Sequence, residues 1–221
     1  EHAILHARNR IQLMVEIGQR GALASDIDQI AVASMQQKMR PRRAIADGFF
    51  AREILPVTLA DGSVVSTDDG PRAGVTLEAV QGLNPVFREN GTITAGNCCP
   101  LNDGASGVVV MSDARATELG LTPLARIVST GVSGLSPEVM GLGPVPACAR
   151  LEATTGRAAR DYDLIELNEA FAAQVLACDR DLGLDRDRLN VNGGAIALGH
   201  PIGATGARIV TTMLHELVRR G

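Results

Sequence analysis

From residue 124 to the C-terminus, short apolar runs alternate with stretches of helical periodicity. LTPLARIVSTGVSG, DYDLIELNEA and RLNVNGGA read as strands; VPACARLEATTGRAA, FAAQVLACDRDLG and ATGARIVTTMLHELVRRG read as helices between and after them. Strict strand–helix alternation predicts an α/β layer with parallel strands. In such layers reactive groups collect just past the C-terminal ends of the strands. Asn168, Glu169 and the loop carrying His200 all fall there. One face of the second helix gathers Phe171, Val175, Cys178 and Leu182. The last helix is expected to bury a stripe of Ile209, Val210, Met213, Leu214, Leu217 and Val218.

The earlier half is less regular. SDIDQIAVASMQQKMR reads as a helix capped by Ser25 and ended or bent by Pro41. EILPVTL reads as a short strand, residues 61–74 as loop, and TLEAVQGLNPVF as a helix stopping near Pro85. GVVVM, residues 107–111, is an unbroken apolar run, the pattern of a strand buried on both faces. RATELG closes a further helix at Gly120.

Composition excludes several classes of partner. A formal net charge of −4 supplies no field for nucleic acid or anionic lipid. No apolar run approaches the roughly 20 residues needed to span a bilayer. The first ten residues, EHAILHARNR, lack a secretory pattern. The spacing of the four cysteines, Cys98, Cys99, Cys148 and Cys178, fits no metal site. They read as reduced, small apolar residues of a cytoplasmic protein.

The chemistry concentrates in NGGAIALGHPIGATGAR, residues 192–208. A phosphate loop needs a lysine followed by Ser or Thr, which is missing. A dinucleotide fingerprint needs G-x-G-x-x-G, whereas Gly199, Gly203 and Gly206 are spaced four and three apart. The glycines instead let backbone and ligand approach closely around His200. A neutral imidazole there can take a proton or donate to an oxyanion. Asn168 is either a helix cap or an amide aimed at the same place. Glu169 is either a general base or a structural carboxylate.

NEAFAAQ and NVNGGAIALGHPIGATGAR resemble the signature segments of the thiolases, the acetyl-CoA acyltransferases. TAGNCCPLNDGA is similar to that family's TAGNASGxNDGA, and VMGLGPVPA to its VMGxGPxPA. The four motifs occur in family order, and the likeness covers roughly residues 26–221. ADGFFAREILPV and LIELNEAFAAQ lean toward the 3-ketoacyl-CoA and β-ketoadipyl-CoA branch. Residues 1–25 do not follow the pattern.

The resemblance implies a thiolase-like α/β fold, a mixed sheet between helices. Residues 1–101 would include the CoA-binding loop domain, 102–122 the last piece of the first core domain, and 123–221 the second core domain without its final strands. It implies acyl transfer between CoA thioesters, with coenzyme A or acyl-CoA as substrate and no metal or permanently bound cofactor. Members of the family are homodimers or homotetramers. His200 matches the histidine that activates a nucleophilic cysteine. Asn168 matches the asparagine that holds an oxyanion-hole water. Phe87, Ala95, Cys99, Met140 and Phe171 match positions lining the pantetheine and acyl channel. Cys99 stands where the family usually has serine.

The family's two catalytic cysteines, one N-terminal and one in a late Cys-x-Gly motif, have no counterpart here. The chain therefore reads as an incomplete fragment of an enzyme; the alternative is a non-catalytic acyl-CoA-binding relative. Without its partner strands, the piece from Asn97 to Gly120 is expected to expose apolar surface.

Overall fold

A computed structural model describes residues 27–221. Ser25, the expected helix cap, lies outside them. The helices are α1 (Ile27–Ala46), α2 (Leu77–Gln81), α3 (Asp113–Glu118), α4 (Pro144–Thr155), α5 (Ala172–Leu182), α6 (Ala195–Leu198) and α7 (Thr205–Arg220). Two short strands, β1 (Val57–Thr58) and β2 (Val64–Val65), form an antiparallel hairpin. β2 lies inside the stretch expected to be loop: Val64 and Val65 supply β-branched residues just beyond the turn at Asp61.

Pro41 does not end α1, which continues to Ala46. The proline is fully buried. A Cβ built on Gly193 would lie 2.5 Å from Pro41 Cγ, so the ring is packed directly on the backbone there. This tertiary packing offsets the hydrogen bond that a mid-helix proline removes.

α5 lies between two apolar clusters. On one side Val175 and Cys178 pack with Cys148 of α4 and with Ile165, Leu167 and Leu189. On the other, Ala172, Ala173 and Leu176 pack with Ile30 and Ala33 of α1 and Ile196 of α6. A helix clad on two sides buries more than the single face its periodicity suggests. Cys178 is fully buried in the first cluster, as its place on the apolar face predicts. Each fully buried aliphatic side chain of this kind contributes about 1.5–3 kcal/mol.

The buried stripe of α7 is Thr205, Ile209, Met213 and Glu216. Val218, expected inside, is exposed. The helix is rotated because Glu216 is held inward by polar partners: Asn192 Nδ2 donates to it at 2.9 Å, and Arg219 and Arg220 close over it.

The expected parallel layer is reduced to single bridges among the described residues. Ile165 pairs with Leu189, its N–H donating to Arg188 O at 2.9 Å while Asn190 N–H donates to Ile165 O at 2.9 Å. Residues 107–111 pair with no strand among the described residues and do not form the doubly buried strand their composition suggests; Val109 is 84% exposed and Val110 68%. Leu124, Ile127 and Val128 are likewise exposed; Ile127 makes a single bridge, and no continuous strand forms there among the described residues. A two-faced apolar strand needs neighbours on both edges, and no described segment supplies them. The exposed apolar surface expected between Asn97 and Gly120 is present.

Candidate functional site

Three segments converge at the end of the Leu164–Asn168 run. Residues 97–102 are tied to the start of α5: Cys99 N–H donates to Ala170 O at 3.0 Å, Ala172 N–H donates to Asn97 O at 2.9 Å, and Cys98 bridges Phe171. The same segment reaches the glycine-rich loop, where Leu101 bridges His200 in parallel and His200 N–H donates to Asn102 Oδ1 at 3.3 Å. Gly199 is the reason this approach is possible. Its φ of +102° suits glycine, and a Cβ there would lie 2.5 Å from Asn102 Oδ1.

His200 and Asn168, separated by 32 residues, are brought together: Asn168 Nδ2 lies 3.4 Å from His200 Nε2. On the other edge of the ring, Nδ1 lies 2.7 Å from Thr205 Oγ1. Burial, and then the charge of Arg208, pushes the imidazole below its ordinary pKa, so it is neutral at pH 7. Asn168 is buried, and its Oδ1 has no hydrogen-bond partner among the described residues. Nearly all buried polar atoms are paired, so this acceptor is held ready at the rim of the site.

The two readings of Glu169 are resolved by its contacts. Its carboxylate is fully buried; Oε1 accepts from Asn190 Nδ2 at 2.8 Å and Oε2 accepts from Ile196 N–H at 3.1 Å. It is a structural group that tethers α6, the helix leading into Gly199 and His200. Burial raises its pKa, against the pull of those two hydrogen bonds and of Arg40 and Arg208. Gly194 makes room for it: a Cβ at that position would lie 2.3 Å from Glu169 Cδ.

The other expected positions are more scattered. Phe87 and Phe171 meet edge to face at 5.9 Å, an arrangement aromatic quadrupoles favour. Ala95 is exposed on the turn before Asn97. Cys99 is half-buried, held through its backbone. Met140 is half-buried on the turn Pro137–Leu142, whose Gly141 carbonyl accepts from the Cys178 thiol at 3.3 Å. Burial pushes the Cys98 thiol up, with Lys38 opposing, so Cys98 is protonated at neutral pH and a weak nucleophile.

Sequence reasoning missed Thr205, Asn190 and Asn102. Their signal was local: Thr205 stands five residues after His200, and the Asn-rich NVN and NDG turns flank the glycine loops. No group of three or more His, Cys, Asp or Glu among the described residues is placed to hold a metal.

A second buried carboxyl sits behind the site. Burial pushes Glu166 up to about 8; Glu169 and Glu216 add to the rise, while Arg208 and Arg40 oppose it. Its Oε1 has no hydrogen-bond partner among the described residues. Such a carboxyl keeps its proton when folded at a pH where the unfolded chain has lost it. Its contribution is therefore complete below the ordinary glutamate pKa of about 4.3 and is lost as pH rises toward 8. Glu216 has the opposite sign. Burial works against its charge, yet hydrogen bonds from Arg219, Asn192 and Arg220 hold it at about 2, so its contribution is lost as pH falls through that range. We expect the urea midpoint to drop between about pH 5 and pH 8.5, and the Glu166→Gln variant to show a shallower drop. Equal slopes in the two proteins would show that Glu166 ionises without cost.

The family model described as the thiolase C-terminal domain matches residues 121–221, and the one described as the thiolase N-terminal domain matches residues 19–114. The chain belongs to the thiolase family. An acetyl-CoA acetyltransferase of Paracoccus denitrificans is 50% identical over 196 residues, covering 87% of this chain and 49% of the relative. The dimeric peroxisomal thiolase of Saccharomyces cerevisiae superposes with a TM-score of 0.79 at 43% identity, covering 86% of this thiolase chain and 48% of its own. Human mitochondrial 3-ketoacyl-CoA thiolase in complex with CoA gives 0.78 at 42%, covering 89% and 50%. The α/β fold is that of these thiolases, and the chain spans about half the length of the relatives it matches. No described helix is long and apolar enough to cross a membrane.

Proposed function

We propose that this chain supplies the histidine–asparagine half of a thiolase site that moves acyl groups between CoA thioesters. The observation that carries the reading is the pairing of His200 Nε2 with Asn168 Nδ2 across two loops, beside a buried Asn168 Oδ1 that lacks a partner among the described residues. His200 takes the proton of a cysteine thiol, and the thiolate attacks the 3-keto carbonyl carbon to form a carbon–sulfur bond. The bond between the α- and β-carbons then breaks, and a second acid protonates the departing α-carbon of acetyl-CoA. Coenzyme A finally displaces the acyl group from the cysteine. The resemblance to the thiolases places the nucleophilic cysteine in the part of the relatives' length that this chain does not span; here Cys148 and Cys178 are buried and Cys98 is held as the thiol.

Asn168 Oδ1 holds a water that, with the protonated His200, stabilises charge on the thioester oxygen. Phe87, Ala95, Cys99, Met140 and Phe171 line the path of the pantetheine arm. The substrate is a CoA thioester, as the CoA complex of the human relative supports. The working assembly is a homodimer or homotetramer; the yeast relative is dimeric.

The test has two arms. These residues alone bind CoA in calorimetry but give no acetoacetyl-CoA thiolysis. The same residues, flanked by the missing N- and C-terminal portions of the Paracoccus denitrificans relative, cleave acetoacetyl-CoA. Binding without cleavage by the chimera would favour a non-catalytic acyl-CoA-binding relative; no heat at millimolar CoA from these residues alone would remove that alternative, and a chimera that does not cleave would reject the acyl-transfer reading.

A further inference from the structure

With Asn168 Nδ2 facing the ring and the Thr205 hydroxyl bonded to Pro201 O, the three contacts around the imidazole are satisfied by one arrangement of protons. Thr205 Oγ1 donates to Pro201 O at 3.0 Å. This is the bond to the carbonyl four residues back that a threonine hydroxyl readily makes in a helix. The hydroxyl has one proton to give. With that proton on Pro201 O, the 2.7 Å contact to His200 is filled only if Nδ1–H donates to Oγ1. Nε2 is then bare, and accepts from Asn168 Nδ2 at 3.4 Å. A proton on Nε2 would require Asn168 to turn its amide so that Oδ1 accepts, and Thr205 to release Pro201 and donate to Nδ1.

We infer that Thr205 is a positioning residue that fixes His200 as the Nδ1–H tautomer and presents Nε2 as the proton acceptor. Thr205 is buried at the first position of α7, so its hydroxyl has no solvent to exchange with. The backbone itself anchors the arrangement, since Ala204 and Thr205 N–H groups also converge on Pro201 O at 2.8 and 2.9 Å. The ring nitrogen that faces Asn168 is therefore chosen by a residue that need touch no substrate. The significance of this rests on the reading of His200 as the base. The position of the proton does not, and it is measurable without turnover.

The experiment is 15N spectroscopy of histidine-labelled chain in the solid state, on sedimented protein so that self-association does not matter. His200 is assigned by its disappearance in His200→Gln. The parent shows a protonated Nδ1 and a bare Nε2. Thr205→Ser keeps that pattern, whereas Thr205→Val, of nearly the same shape, shifts the population toward Nε2–H. Thr205→Ala serves as the second variant should the valine fail to fold. A parent spectrum dominated by Nε2–H, or an unchanged spectrum in the valine or alanine variant, overturns the inference. In the active chimera, Thr205→Val moves the acid limb of the kcat/KM pH profile and Thr205→Ser restores it. An inactive chimera with the expected tautomer rejects the acyl-transfer reading and leaves this one standing.

Discussion

In the chimera extended to the length of its relatives, His200→Ala lowers thiolysis at least about 10²-fold, the scale on which a positioned acid–base group contributes. Among the described residues, the nearest carboxylate cannot replace the imidazole. Glu169 is adjacent in sequence to Asn168, but both its oxygens are committed, one to Asn190 and one to the Ile196 N–H. Asn168 carries an amide, which holds a polar partner in place and moves no proton. The imidazole is kept neutral by burial and by Arg208, so in the proposed reaction it would enter as a base. The loss should therefore appear chiefly in kcat, with the KM for CoA little changed, because the ring's work is done on the reacting carbonyl and thiol. An unchanged rate would reject the role assigned to His200.

The part of this that was legible in the sequence is the part set by local pattern. The glycine loop announced close backbone approach, and Gly199 over Asn102 shows what approaches. The family motifs placed His200 and Asn168 at neighbouring loop ends, and the two side chains meet. What pattern could not show depends on partners distant in the chain. The apolarity of residues 107–111 signals burial only where other strands flank them, and among the described residues none do. Pro41 breaks a helix in isolation, yet here it packs on Gly193. The α7 stripe runs through Glu216 instead of Val218, because Asn192 and two arginines make an inward carboxylate affordable. Both readings of Glu169 stay open in the sequence because spacing reports proximity to a site and says nothing of which lone pairs are already used.

The largest effect on stability is expected at Asn190. This residue is fully buried in the left-handed region at φ +46°, which Asn tolerates better than most residues. Up to Asn190 N–H the backbone itself pairs with Ile165; beyond it the chain turns away. The side chain then continues the pairing in place of a strand. Its Oδ1 accepts from Leu167 N–H at 2.8 Å, and its Nδ2 donates at 2.8 Å both to Leu167 O and to Glu169 Oε1. Asn190→Ala strands three buried polar groups at once, each costing about 1–3 kcal/mol when left unpaired. It also places an alanine where left-handed backbone costs roughly 1–2 kcal/mol. The contributions do not add fully, but a loss of at least about 3 kcal/mol is a large share of a typical stability of about 5–15 kcal/mol. Asn190→Asp keeps the shape and the acceptor but turns an oxygen toward Leu167 O and the Glu169 carboxylate, so it should be no better tolerated. Asn190→Gly relieves the backbone term alone and should recover only that part. Urea denaturation of the three variants separates the two effects, and losses below about 1 kcal/mol in both the alanine and aspartate proteins would mean that the strand ends hold without this amide. Because Asn168 lies between the two residues Asn190 grips, the variants that still fold should also lose the contact between Asn168 and His200, visible as a change in the His200 ring resonances.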